Sequence, residues 1–371
     1  MIKKIAILAL VLCLVLTVLS PTLAPIIAQG QGQITVSNST AKMNFPLSLD
    51  FSSQIKSNAN ITDVRLRYQI EQMSFADVTS EAYIALTPST AVNAAYSLDM
   101  RKIGGLPPGT FVDYWWSVKD TSGGKLQTQS TQFQINDNRY QWQNLSQGKV
   151  NLFWYQGNSS FAGSLMTAAQ QALTQLAANT GASPDKNINI YIYASAKDLQ
   201  GSMIFPNEWT GGVAFTQYNI IAIGIGPNDL SWGQGAMTHE LTHIVVNQVT
   251  FNPYNELPVW LNEGLAMYSE GPLSSQFTIP LTSAISHNTL ISVRSIASPF
   301  SANSDKANLS YAESYSLVDY LVKQYGPDKM LNLLDAFKQG STYDGAFQKV
   351  YGFDMDGLNS QWKPWVATQY K

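Results

Sequence analysis

Cysteine and charged residues are both scarce in this sequence. Cys13 is the single cysteine among 371 residues, so disulfides and thiolate chemistry are excluded from the rest of the chain. Any metal ion must therefore be bound by His, Asp or Glu. Charged residues make up 13% of the chain, about half the usual share. Beyond the first few residues Lys and Arg do not cluster, which predicts no nucleic-acid partner because phosphate neutralisation requires such clusters.

The first 28 residues have the pattern of a signal peptide. Lys3 and Lys4 precede an almost unbroken apolar run over 5–19, and Ala28 offers a small residue for cleavage. The run is shorter than the about 20 residues of a membrane span, but the uncharged stretch continues to Ala28, so an uncleaved anchor stays open. Both alternatives predict an extracytoplasmic protein, secreted or attached to the cell surface, with membrane contact only through this segment.

Residues 33–137 are expected to form an all-β domain. Apolar and polar residues alternate over 62–70, as in a strand with one buried face. About seven short segments of this kind, separated by turns rich in Gly and Pro, predict an antiparallel β-sandwich. The stretches 106–110 and 114–118 resemble the late strands of fibronectin type III and immunoglobulin-like modules. The binding partner of this domain is not indicated.

Residues 150–371 are expected to form a second domain, mainly helical and of the α+β class. A helix is predicted from Ser159 or Ser160 to Ala178, with Gly181 ending it. Strands are predicted at 188–193, 212–215 and 220–225, and helices after them. A few strands followed by many helices are typical of α+β folds.

A His-Glu-x-x-His motif, His239-Glu240-x-x-His243, is the strongest chemical signal. On a helix, residues four apart lie on one face about 6 Å apart, so both imidazoles can bind one zinc ion. Glu240 points beside the ion and is the candidate general base for a water that the ion activates. The alternative is a helix whose two histidines lie four residues apart by chance. The chain has only three histidines in all, so this spacing of two of them around a Glu is improbable by chance.

A third ligand is needed, and Glu263 is the candidate. It lies among apolar residues such as Trp260, and a buried acid is costly unless it is paired or binds a metal. The alternative is an acid on a solvated helix face. The sequence thus predicts one Zn2+ per chain, held by His239, His243 and Glu263.

The motif followed by Asn262-Glu263 resembles the gluzincin metallopeptidases, and the segment 260–266 is similar to the matching segment of aminopeptidase N-like enzymes. The 19 residues between His243 and Glu263 equal the separation in thermolysin. The short exported form looks most like the bacterial peptidase MA-like domains, over about 150–365. The resemblance implies a zincin-like fold that hydrolyses peptide bonds in peptides or proteins.

The resemblance also implies an oxyanion-stabilising tyrosine. Tyr311 begins a segment that looks like the helix carrying the transition-state tyrosine of the aminopeptidases, and a phenol O–H suits a developing oxyanion. Tyr315, one helical turn later, is the competing candidate.

Gluzincins commonly bind substrate along a strand beside the zinc helix. By this resemblance Gly212, Val213 and Ala214 are the candidate substrate-binding residues. The aminopeptidases carry an acid at this strand to hold the free amine, and its absence here favours an endopeptidase. Met267 stands where thermolysin-like sequences have an acid, so the group that orients the zinc histidines is not evident.

Together these patterns predict an exported zinc metallopeptidase, an endopeptidase with Glu240 as general base. The alternative from another class is a cell-surface binding or adhesion protein in which the peptidase-like domain is vestigial. A third interpretation keeps the fold but replaces the peptide by a non-peptide amide.

Overall fold

The computed structural model describes residues 33–206, 210–254, 256–301 and 303–370. The predicted leader, residues 1–28, lies outside these ranges. Within the described residues, no helix has both the length and the apolar character that a membrane crossing requires.

A seven-stranded sheet occupies the N-terminal part of the described chain, and its pairings are antiparallel. Its strands are β1 (Thr35–Asn44), β2 (Ser48–Ile70), β3 (Ser80–Tyr83), β4 (Ser89–Asp99), β5 (Phe111–Asp120), β6 (Lys125–Gln127) and β7 (Thr131–Gln134). The first half of β2 pairs with β1 and β4, whereas the second half pairs with β3 and β5. We refer to this part as the N-terminal region.

The long strand β2 bends so that its two halves share one core. Its register shifts between Lys56 and Ile61. The ring of Phe51, in the first half, lies 6.3 Å from that of Tyr68 in the second half and 5.0 Å from that of Tyr114 in β5. The sequence predicted separate strands here, but the structure has one strand of 23 residues. The predicted β-rich region is confirmed, while a fibronectin type III-like sandwich stays a prediction.

A second sheet of five strands follows in the described residues. Its strands are β8 (Gln143–Gln147), β9 (Val150–Trp154), β10 (Ile188–Tyr193), β11 (Gly212–Phe215) and β12 (Ile220–Gly224). Their order is β11-β12-β10-β9-β8, in which β10 is parallel to β9 and β12. Strand β11 therefore forms one edge of this sheet. The sheet begins at Gln143, seven residues before the predicted boundary at 150.

The chain from β8 onward, which we call the C-terminal region, is mainly helical after its sheet. Its helices are α1 (Ser159–Thr180), α2 (Ala196–Gln200), α3 (Leu230–Thr250), α4 (Val259–Glu270), α5 (Ser275–Ser286), α6 (Ser304–Tyr325), α7 (Pro327–Lys338), α8 (Tyr343–Tyr351) and α9 (Met355–Gln369). The predicted α1 is confirmed, with one correction at its start. Asn158 rather than Ser159 or Ser160 is its cap, because the Asn158 side chain accepts from the Phe161 N–H.

Close contact between α4 and α6 sets the relative positions of the residues they carry. A Cβ atom at Gly264 in α4 would collide with the backbone carbonyl of Ser314 in α6, so glycine permits the two backbones to approach. Trp260 and Leu265 on α4 are fully buried in the same core. The helices α1 to α9 confirm the predicted mainly helical C-terminal part.

Candidate metal centre and active site

Helix α3 presents both histidines of the motif on one face. The ring centroids of His239 and His243 lie 4.8 Å apart, as expected for residues one helical turn apart. Leu241, Ile244 and Val245 on the same helix are buried in the core. Burial of these apolar residues fixes the rotation of α3 and leaves the two imidazoles beside the cavities described below.

Helix α4 brings Glu263 to the two imidazoles. Glu263 Oε2 lies 3.4 Å from His239 Nε2 and 3.7 Å from His243 Nε2. One ligand atom from each of these three residues lies within 4.8 Å of the others. Tetrahedral zinc with bonds of about 2.0 Å separates its ligand atoms by about 3.3 Å, so the donor set and spacing fit a zinc ion. The sequence-predicted ligands are brought together.

Two further side chains of α4 hold the outer nitrogens of the imidazoles. His239 Nδ1 donates to Glu270 Oε1 at 2.6 Å, and His243 Nδ1 lies 3.2 Å from Asn262 Oδ1. Hydrogen bonds of this kind fix the ring orientation and the tautomer of metal-binding histidines. Glu270 therefore orients His239. The sequence did not predict this group, because an acid is expected at position 267, which is Met. The available signal was the seven-residue spacing between Glu263 and Glu270, two turns along one helix face.

The carboxylates make this cluster favour positive charge. Burial opposes protonation of His239, but hydrogen bonds to Glu263 and Glu270 outweigh it and raise the pKa of this imidazole to about 10. Burial also opposes ionisation of Glu263, yet the His239 hydrogen bond and both imidazoles lower the pKa of this carboxyl below its usual value. A proton on His239 offsets only one of the two negative charges, whereas a divalent cation held by the cluster would offset both.

Glu240 lies against the edge strand β11. A Cβ atom at Gly212 would stand 3.2 Å from Glu240 Oε1, so glycine at this position leaves room for the carboxylate. Gly212 and Val213 line a cavity together with His239 and Glu240. Ala214, the third predicted substrate-binding residue, packs against the core of the C-terminal region.

Tyr311 lines the same cavity, whereas Tyr315 points elsewhere. Burial, together with the charges of Glu263 and Glu240, raises the pKa of Tyr311 to about 12. The ring of Tyr315 lies 5.6 Å from that of Tyr268, away from the cavity lining. Of the two predicted alternatives, the structure thus places Tyr311 beside the general-base candidate.

Two cavities flank the ligand cluster. The first, which we call the Tyr311 cavity, has a volume of about 610 Å3 and is lined by His239, Glu240, Glu270, Tyr311 and mostly apolar residues that include Met203, Trp232, Met267 and Phe277. The second, which we call the Asn247 cavity, has a volume of about 500 Å3 and is lined by His243, Glu263, amides that include Gln217, Asn247 and Asn262, and apolar residues that include Phe251 and Leu257. The cluster thus stands between two spaces that can hold parts of one ligand.

Comparison with known proteins places this arrangement in a family. A model of the peptidase MA superfamily matches residues 168–368, which is more than half of the chain and includes every candidate site residue. The chain belongs to the peptidase MA superfamily. No curated protein matches the sequence significantly.

Similarity of this superfamily member to solved structures is distant. The M1 zinc metallopeptidase of Deinococcus radiodurans is 10% identical, with 86% of this chain and 90% of that chain covered and a TM-score of 0.36. Aminopeptidase A of Legionella pneumophila is 9% identical, with 89% and 50% covered and a TM-score of 0.40. OgpA of Akkermansia muciniphila is 12% identical at a TM-score of 0.22, and only 29% of each chain is covered. The family match, rather than these likenesses, supports a zinc peptidase-like function.

Proposed function

We propose that this protein is an extracytoplasmic zinc-dependent peptidase that cleaves internal peptide bonds. The observation that carries the proposal is the convergence of His239, His243 and Glu263 beside a cavity that also contains Glu240 and Tyr311. Four of these groups are imidazoles or carboxylates that cost free energy to bury, and an enzyme site explains why they lie together.

Each residue of the site has a distinct task in peptide hydrolysis. His239, His243 and Glu263 would hold one zinc ion, which when bound acidifies water and polarises a carbonyl oxygen. Glu240 stands beside these ligands, so its carboxylate can accept a proton from the attacking water and pass it to the leaving amine. The Tyr311 hydroxyl, whose raised pKa keeps it protonated, donates a hydrogen bond to the oxygen that becomes negative.

Cleavage within a chain is favoured by the space on both sides of the cluster. Strand β11 is a sheet edge that an extended peptide can join through main-chain hydrogen bonds. It leads from Gly212 in the Tyr311 cavity towards Thr216 and Gln217 in the Asn247 cavity. A substrate along this edge would therefore occupy both cavities, with the cleaved bond between them.

Export is proposed from the sequence of residues 1–28. The Ig- or fibronectin type III-like β-sandwich is likewise proposed, with support from the antiparallel pairing and the shared core of the bent strand β2.

Metal content and turnover of the full chain test this proposal. Protein purified without added zinc should hold about one zinc per chain, and Glu263→Ala should lose it. Glu240→Gln should keep the metal but cleave peptides at least about 100-fold more slowly. Asp335→Asn is a matched control, because Asp335 is an exposed acid that lines neither cavity, and it should stay close to wild type.

Three results would contradict the proposal. Cleavage by Glu240→Gln at the wild-type rate would show that Glu240 is not the general base. A zinc content of Glu263→Ala equal to that of the wild type would show that Glu263 is not the third ligand. Failure of the zinc-loaded wild type to cleave any peptide in a broad panel would remove the peptidase activity itself.

A further inference from the structure

The loop between β2 and β3, residues 71–79, reaches from the N-terminal region to residues that line the Asn247 cavity. The Met73 N–H donates to the Gln217 carbonyl oxygen at 2.7 Å. The Met73 sulfur lies 3.7 Å from Asn247 Nδ2. The ring of Phe75 stacks on that of Phe251 with centroids 4.2 Å apart and planes 9° apart. All three partners named here, Gln217, Asn247 and Phe251, line the Asn247 cavity.

These contacts continue the helix face that carries the zinc ligands. His239, His243, Asn247 and Phe251 follow one another at intervals of four along and just beyond α3. Residues at this interval lie on one side of a helix, so the β2–β3 loop covers the same face one and two turns beyond His243. The loop therefore lies over the end of α3 that is farther from Glu240.

The backbone hydrogen bond from Met73 also limits how far a substrate can follow the edge strand. Gln217 lies two residues beyond the end of β11, and its carbonyl is already bonded to the loop. The chain from Gly212 to Gln217 spans no more than about 17 Å at the rise of a strand. A peptide alongside it therefore has room for about five residues before it reaches the loop.

Phe75 offers an apolar surface at this point. One face of its ring stacks on Phe251, yet 56% of the residue is exposed. Tyr254, which lines the same cavity, is 77% exposed. Exposed aromatic rings at the end of a cavity favour contact with apolar or aromatic side chains.

We propose that Met73 and Phe75 of the β2–β3 loop form the end wall of the Asn247 cavity and that Phe75 selects substrates with an apolar or aromatic residue on that side of the cleaved bond. The N-terminal region then contributes a specificity-determining element to the peptidase. The proposal rests on the proposed peptidase function.

Cleavage of peptide libraries by the full chain tests this inference. Each library is randomised on one side of a cleaved bond, and products are quantified by mass spectrometry for wild type, Phe75→Ala and Phe75→Leu. Val78→Ala is the matched control, because Val78 belongs to the same loop and is 65% exposed. Zinc content and thermal unfolding of each variant report whether the fold is intact.

Phe75→Ala should lower kcat/KM about five- to tenfold for peptides with an aromatic residue on one side of the bond. Selectivity on the other side, zinc content and the Val78→Ala profile should stay unchanged. Phe75→Leu keeps an apolar side chain and should lose less. A loop that merely packs the two regions together would not produce a change confined to one side.

Two results would overturn the inference. If the wild type cleaves peptides and both Phe75 variants keep its preferences on each side, the loop is not a substrate wall. If the zinc-loaded wild type cleaves nothing, the peptidase function itself fails and the loop proposal fails with it.

Discussion

The two cavities beside the ligand cluster differ in what their walls can do. The Tyr311 cavity contains Glu240 and Tyr311 among both apolar and polar side chains. The Asn247 cavity contains neither of these two groups, and the β2–β3 loop contacts two residues of its lining, Asn247 and Phe251. Under the proposed function, proton transfer and oxyanion binding belong to the first cavity and substrate recognition to the second.

The largest expected effect concerns the Tyr311 cavity. Tyr311→Phe removes one hydroxyl from the Tyr311 cavity and should lower kcat about 100-fold, the usual result of losing an oxyanion donor. The effect on KM should be small because the hydrogen bond forms as the carbonyl oxygen becomes negative. Since the pKa of Tyr311 is raised to about 12, this hydroxyl should cause no loss of activity below about pH 10. Steady-state kinetics between about pH 6 and about pH 10 measure both quantities.

Tyr315→Phe is the matched control for this prediction. The two tyrosines lie one turn apart on α6, but Tyr315 packs near Tyr268 and outside the cavity. Its kcat should remain close to that of the wild type. A larger loss in Tyr315→Phe than in Tyr311→Phe would reverse the assignment.

A smaller effect is expected for the groups that orient the ligands. Glu270→Gln replaces the carboxylate that accepts from His239 Nδ1 and should weaken zinc binding about 10- to 100-fold. Asn262→Ala should weaken it less, because Asn262 is neutral and its contact with His243 is longer, 3.2 Å against 2.6 Å. Competition with a zinc chelator measures both affinities. Equal losses would show that the charge of Glu270 is irrelevant.

The three ligand residues could be predicted from the sequence because each lies in a short segment with a recognisable pattern. A four-residue helical interval pairs His239 with His243, and a costly acid in an apolar segment marks Glu263. Glu270 was not predicted, because the resemblance to thermolysin-like sequences places the orienting acid at position 267, which is Met in this chain. The sequence supplied both Tyr311 and Tyr315, but the choice between them depends on how α6 is rotated. That rotation is set by tertiary contacts such as that of Gly264 with Ser314.

The contribution of the N-terminal region could not be predicted for a related reason. Alternation of apolar residues predicts strands, but it does not show that 48–70 is one strand that bends onto itself. Met73 and Phe75 meet Asn247 and Phe251 across more than 170 residues of chain. Contacts of that separation have no local signature.

The smallest expected effect on activity concerns Glu313, a buried residue of α6. Its substitution should alter stability but leave peptide cleavage almost unchanged. Glu313 is fully buried. One carboxylate oxygen accepts from the Ile291 N–H, and the other has no hydrogen-bond partner among the described residues. Glu313→Gln keeps the shape but cannot ionise, so kcat/KM should change little.

The stability difference should appear as a pH dependence. Burial raises the pKa of Glu313 from 4.5 to about 8, although the Ile291 N–H and Lys363 act in the opposite direction. Between these two values the unfolded chain is ionised while the folded chain keeps its proton, so the free energy of unfolding falls as pH rises, by roughly 3 kcal/mol between about pH 4.5 and about pH 7. Urea denaturation of Glu313→Gln should lack this component, whereas Glu71→Gln, at an exposed loop position, should keep it. Parallel pH profiles for wild type and Glu313→Gln would mean that Glu313 is already ionised in the folded protein, with a counter-charge at the oxygen that lacks a partner.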